Sequence, residues 1–166
     1  VPEISIFVLH GCCHNPTGCD LTPAQWRELS ALILKHKLIP FFDFAYQGFG
    51  KGIEEDAWAI RHFAEKGHEM FVASSYSKNL GLYGERIGCL SILLKNEQLN
   101  QNVGSVVKKL IRTNYSNPPR HGAGIITTIL QEIGLKEMWK GEVDLMRIRI
   151  EELRSQLSDA LAAQFG

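Results

Sequence analysis

Apolar residues fall along this chain in two rhythms. Dense short runs at residues 4–9, 39–42, 70–74 and 87–94 are rich in Ile, Phe, Val and Leu. They are too short for helices and are expected as strands, the first two of them buried. Between and after these runs, apolar residues recur every three or four positions. Trp26, Leu29, Ile33 and Leu34 mark a helix opening at Thr22 and Pro23, an N-cap followed by proline at the first helical position. Lys35, His36 and Lys37 fall in its last turn, where cations suit the helix dipole. Trp58, Ile60 and Phe63 mark a second helix, with Asp56 as its expected cap and Gly67 as its stop. Val103, Val106, Val107, Leu110 and Ile111 place a third from Glu97 to about Arg112, ended by Ser116-Asn117-Pro118-Pro119. A fourth is expected from about Gly122 to Glu132. One long charged helix is expected from about Leu135 to Ala163, with Met138, Leu145, Ile148, Leu153, Leu157 and Leu161 among its apolar positions. No heptad rhythm is sustained, so it reads as a helix spanning a domain and not as a coiled coil.

The order strand, helix, strand, helix, strand implies an α/β fold with a mainly parallel sheet flanked by helices. The fourth strand follows the third after a short loop only, which leaves it free to run antiparallel. At 166 residues the chain is long enough for one sizeable core. The formal net charge is zero, so nothing drives non-specific binding to nucleic acid or to an anionic membrane. Apolar runs such as residues 125–130 are far short of a membrane span.

Cys12, Cys13 and Cys19 cluster with His10 and His14, and Cys89 stands apart. Adjacent cysteines on an extended segment point to opposite faces, and no Cys-x-x-Cys pair is present. No metal site is therefore expected, only free thiols, some buried as small hydrophobes.

Three strands end in polar, glycine-punctuated segments: Asn15 after the first, Asp43 and Tyr46 after the second, and Ser75, Ser77 and Lys78 after the third. Arg86 follows Lys78 by eight residues, with Gly81 and Gly84 between them. In open α/β sheets, ligands bind outside the carboxyl ends of the strands. Neighbouring strands would bring these residues to one site: hydroxyls and a guanidinium for a small anion, and a lysine placed to react. Taken singly, each has an ordinary alternative, such as a turn-forming serine, a solvated lysine or an arginine paired with Glu85.

The runs that carry these residues match a known family. His14-Asn15-Pro16-Thr17-Gly18, Phe42-Asp43-Phe44-Ala45-Tyr46-Gln47-Gly48-Phe49, Ser75-Tyr76-Ser77-Lys78-Asn79-Leu80-Gly81-Leu82-Tyr83-Gly84-Glu85-Arg86 and Tyr115-Ser116-Asn117-Pro118-Pro119 follow in that family's order. The chain resembles the aspartate aminotransferases, fold-type I enzymes that use pyridoxal 5'-phosphate (PLP). The resemblance covers essentially the whole chain. It implies that residues 1–134 form part of the PLP-binding large domain, and that the long helix at 135–166 leads towards a small domain.

The resemblance also implies roles. Lys78 is expected to form the Schiff base with PLP, reacting as the neutral amine. Asp43 is expected beside the pyridine nitrogen, where its charge keeps that nitrogen protonated. Tyr46 and Asn15 are expected on the ring's phenolic oxygen, with Asn15 also near substrate. Ser75, Ser77 and Arg86 are expected on the phosphate, His10 behind Asp43. Arg112 is expected to reach a neighbouring subunit's active site and bind the substrate's distal carboxylate, which implies a homodimer with shared sites. The implied reaction moves the amino group of aspartate to 2-oxoglutarate by ping-pong kinetics, in the cytoplasm, with an organellar form left open. An aromatic amino acid aminotransferase and a non-catalytic scaffold of the same fold stay open. The family's arginine for the substrate α-carboxylate lies in the small domain, so the chain is expected to be an internal fragment, inactive alone.

Overall fold

The computed structural model describes residues 5–165. Four strands form one sheet in the order β1 (Ile6–His10), β2 (Ile39–Phe44), β3 (Met70–Ser75) and β4 (Gly88–Leu93). β1, β2 and β3 are parallel, and β4 runs antiparallel to β3. The α/β plan is the expected one, and its parallel strands carry His10, Asp43 and Ser75 to the same end of the sheet. Ile4, at the start of the first expected strand, lies outside the described residues.

The connections follow the local signals. α1 (Pro23–Lys35) opens on a capping box: the Gln25 N–H donates to the Thr22 hydroxyl, and the Thr22 N–H donates to the Gln25 side-chain oxygen. α2 (Ile53–Asp56) and α3 (Trp58–Glu65) link β2 to β3, and Gly67 ends that link at φ +75°. A short 3₁₀ turn at Glu97–Leu99 leads into α4 (Asn100–Asn114). α5 (Arg120–Gln131) and α6 (Ile133–Phe165) follow, the last with 33 residues.

The core lies where α1 and α3 cover β2 and β3. Phe42, Phe63, Ile33 and Met70 are fully buried, joined by Trp26, Phe44 and Val72. Phe63 meets Phe42 edge-on at 5.1 Å and Trp26 edge-on at 6.0 Å, the arrangement that ring quadrupoles favour. Alternation along β2 puts Phe42 and Phe44 in this core and leaves Asp43 exposed on the opposite face.

Two expectations need correction. β1 is not buried: Ile6 is 57% and Val8 64% exposed, and among the described residues β1 pairs only with β2. The long helix, expected as charged and amphipathic, leaves its apolar positions open, with Val143 alone buried among its described residues. Asp56 does not cap α3. It closes α2, and its buried carboxylate turns back into the loop after β2.

A polar contact also lies within the core, where the Ser30 hydroxyl and His68 Nε2 stand 2.8 Å apart. Burial, with smaller contributions from Lys95 and His62, lowers the His68 pKa from its ordinary 6.5. The unfolded chain then takes up a proton near pH 6.5 that the folded chain resists. This contribution to stability is present above that pH and is lost as pH falls towards the folded pKa. Urea unfolding midpoints are expected to fall as pH drops from about 7.5 to about 5. His68→Gln is expected to flatten that slope, and an unchanged slope would remove His68 as its source.

Candidate active site

The segment after β1 is folded tightly over the sheet edge. Gly11 N–H donates to the Asp43 carbonyl at 3.3 Å, continuing the pairing with β2. Cys13 then adopts φ +50° and turns the chain. Asp20 holds the turn by accepting the Cys13 N–H at 2.7 Å and the His14 N–H at 2.9 Å. The Asn15 N–H donates to His10 Nδ1 at 3.1 Å, and the Asn15–Pro16 peptide is cis. Because Nδ1 accepts that bond, the neutral His10 ring carries its proton on Nε2. That nitrogen faces Asp43 Oδ2 at 4.0 Å, an ion-pair distance rather than a hydrogen bond.

The loop after β2 is organised by Asp56. Its Oδ2 accepts the N–H groups of Gly48 and Gly50, and its Oδ1 accepts that of Lys51. Gly48 is held at φ +98°, and a Cβ there would lie 2.5 Å from Val143 Cγ1 on α6. The loop places the Tyr46 hydroxyl 3.3 Å from the donating amide nitrogen of Asn15.

After β3 the chain passes through Ser75, Ser77 and Lys78. The Lys78 Nζ stands 4.8 Å from the centre of the Tyr46 ring. The next residue, Asn79, is buried. Its amide donates to the Gln47 carbonyl at 3.2 Å, and its own carbonyl accepts the Trp139 indole N–H at 2.6 Å. The β3–β4 register continues beyond the strands, with Tyr76 N–H donating to the Ile87 carbonyl. Arg86 has φ +51°, and its Nη1 donates to the Tyr83 carbonyl at 3.2 Å.

A cleft of about 430 Å³ opens between these segments and α6. Asn15, Tyr46 and Lys78 line it together. Asp43, Ser75, Ser77 and Arg86 are not among the cleft-lining residues: Asp43 lies in β2 facing His10, Ser75 ends β3, and Ser77 and Arg86 lie in the turn between β3 and β4. Arg112 lies elsewhere, in the last turn of α4, with its Nη1 donating to the Ser116 hydroxyl at 2.7 Å. Sequence reasoning missed Cys13, Tyr83, Ile150 and Arg154 as wall residues. Nothing local in the sequence marks Ile150 and Arg154, since only the docking of α6 brings them there.

The two adjacent thiols also depart from expectation. Cys13 is not extended, so the sulfurs of Cys12 and Cys13 come to the same side, within 4.8 Å of each other and of an Asp56 carboxylate oxygen. The hydrogen bond with Cys13, burial and the Asp56 charge all push the Cys12 pKa up, while the bond from Cys12 lowers that of Cys13.

An amine and a phenol with an amide on its hydroxyl thus line one cleft, and a carboxylate facing a histidine lies at the end of the same strands. The sequence profile of the "Aminotransferase class I and II" family matches residues 2–166, and the chain belongs to that family. It is 48% identical over 163 residues to an aspartate aminotransferase of Pseudomonas aeruginosa, covering 98% of this chain and 41% of that one. It is also 48% identical over 161 residues to a tyrosine aminotransferase of Klebsiella pneumoniae, covering 97% of this chain and 41% of that one. Among solved structures, an aromatic-amino-acid aminotransferase from Burkholderia pseudomallei, covalently bound to PLP, superposes with a TM-score of 0.94. That pair shares 48% identity over 97% of this chain and 41% of the other. The chain thus spans about 41% of the length of these relatives.

Gly48→Ala is expected to destabilise the fold by about 2–3 kcal/mol, combining the cost of a positive φ with the clash at Val143. Val143→Ala in the same chain should recover the clash and leave the backbone strain. A double-mutant cycle by urea unfolding measures this coupling, and strict additivity of the two changes would refute the contact.

Proposed function

We propose that this chain is the cofactor-binding core of a PLP-dependent aspartate aminotransferase, moving the amino group of aspartate to 2-oxoglutarate. The observation that carries the reading is the convergence of Lys78, Tyr46 and Asn15 in one cleft, with the Lys78 Nζ over the Tyr46 ring. Membership of the family and the PLP bound in a close structural relative support it.

The donor set fits PLP group by group. Lys78 offers an amine for the aldehyde, and Asp43 an anionic partner for the ring nitrogen. Tyr46 and Asn15 offer hydrogen bonds to the ring oxygen. Ser75, Ser77 and Arg86 offer two hydroxyls and a planar cation for the phosphate. When bound, PLP supplies an electron sink that stabilises negative charge at the substrate α-carbon.

This chain's residues would supply part of the remaining machinery. Lys78 would hold the cofactor through its Nζ amine, and the same Nζ would act as base and acid for the proton of the substrate α-carbon. Asp43 would face the ring nitrogen as its anionic partner, with His10 Nε2 standing 4.0 Å behind it. Asn15 orients the Tyr46 hydroxyl. Arg112, exposed on α4 and away from this chain's own cleft, binds the distal substrate carboxylate in the neighbouring subunit of a homodimer. The apolar Val106 and Leu110 are exposed on the same helix, which supports an interface there. A cytoplasmic location belongs to this reading, and relatives named for the cytoplasm and the chloroplast bound the choice.

The full-length protein that carries this segment is expected to take up PLP and, after borohydride reduction, to retain it covalently on the Lys78 peptide. Lys78→Ala should abolish that adduct. Retention elsewhere, or none at all, would sink the enzyme assignment.

Aromatic aminotransferases among the relatives favour a second reading, with aromatic amino acids as substrates. Arg112→Ala is expected to lower kcat/KM for aspartate by roughly 100-fold, about 3 kcal/mol for a charge-assisted contact, while leaving phenylalanine within a few-fold. Equal losses for both substrates would remove Arg112 as the distal-carboxylate ligand.

A further inference from the structure

The paired thiols beside the cofactor cleft have no part in the transamination reading. We propose that Cys12, Cys13 and Asp56 form a binding site for a thiophilic divalent cation of the zinc and cadmium class. The two sulfurs and one carboxylate oxygen all lie within 4.8 Å of one another. Atoms at the corners of an equilateral triangle of that edge stand about 2.8 Å from its centre, and Zn–S and Zn–O bonds are about 2.3 and 2.1 Å. Closing onto an ion therefore requires shifts of about half an ångström.

The ligands are already oriented. The turn at Cys13 is held by Asp20, which accepts the Cys13 and His14 N–H groups. Asp56 is held by the N–H groups of Gly48, Gly50 and Lys51. Its Oδ2 accepts two of these and its Oδ1 only one, so Oδ1 keeps a lone pair for an ion. Such outer contacts fix ligand geometry before an ion arrives. Access is open on two sides. Cys13 lines the cofactor cleft, while Cys12 and Asp56 line a separate cavity of about 470 Å³ with Asp20 and Trp26.

The ligand chemistry selects the ion. Two thiolates favour soft or borderline metals over magnesium and calcium. Three protein ligands leave a fourth position for water, as in open zinc sites. Binding exchanges one divalent cation for two thiol protons, which pass to solvent, and no oxidation is involved. Two thiolates and a carboxylate carry three negative charges, and the ion reduces these to one.

Cadmium is the probe. Titrated into the full-length protein, it is expected to give a thiolate-to-metal charge-transfer band that saturates at one ion per chain. Two thiols should become protected from alkylation, and mass mapping should place them at Cys12 and Cys13. Reading Cys12 by protection in the unsubstituted protein avoids a buried substitution that threatens folding. Cys13→Ser and Asp56→Asn should each weaken the titration midpoint by about 10-fold or more. Joint replacement of the exposed Cys19 and Cys89 by serine should leave it unchanged. No saturating band, protection of Cys19 or Cys89 instead, or an unchanged midpoint in either ligand variant would overturn the site.

Discussion

Three backbone N–H groups from the loop after β2 converge on the carboxylate of Asp56, which is only 6% exposed. A buried carboxylate without partners would cost several kcal/mol. With three donors it becomes a rigid centre, since hydrogen bonds to an ionised group are among the strong ones. The loop it gathers carries Tyr46, Gln47 and Gly48. Gly48 is packed against Val143 of α6, and Gln47 accepts from Asn79, the neighbour of Lys78. Asp56 thereby ties together the phenol, the loop bearing the lysine and the long helix, although it does not itself line the cleft of Asn15, Tyr46 and Lys78.

The sheet supplies the other half of the arrangement. Three parallel strands end together, so side chains tens of residues apart meet at one edge. Alternation then sorts chemistry from packing. Phe42 and Phe44 go into the core beneath α1 and α3, while Asp43 between them faces the other way, towards His10. The antiparallel return of β4 pairs Gly88 with Ser75 and so brings the chain back to the same end of the sheet.

Much of this was legible beforehand. Strand runs, the Thr22 cap, the Gly67 stop and the long last helix are local signals, set by side-chain periodicity and backbone preference within a few residues. Lys78, Tyr46 and Asn15 could be read as one group because each follows the end of a strand, although only the sheet order shows that those strands are neighbours. Burial of β1 was misjudged because an apolar run does not say whether anything covers it. Asp56 was read as a cap because a carboxylate before a helix usually serves its own helix, and its actual donors lie five to eight residues earlier in a folded-back loop.

By itself the sequence determined the strand and helix order, the family and the residues with chemistry to offer, since each is written in nearest-neighbour patterns. Tertiary structure decided which of those residues share a cleft. It placed Lys78 over Tyr46, brought Arg154 and Ile150 from α6 to the wall, and turned Cys12 and Cys13 to one side against Asp56. The reason is geometric: a positive φ at Cys13, a glycine contact at Gly48 and the docking of one helix depend on atoms far apart in the chain. No local pattern encodes such contacts.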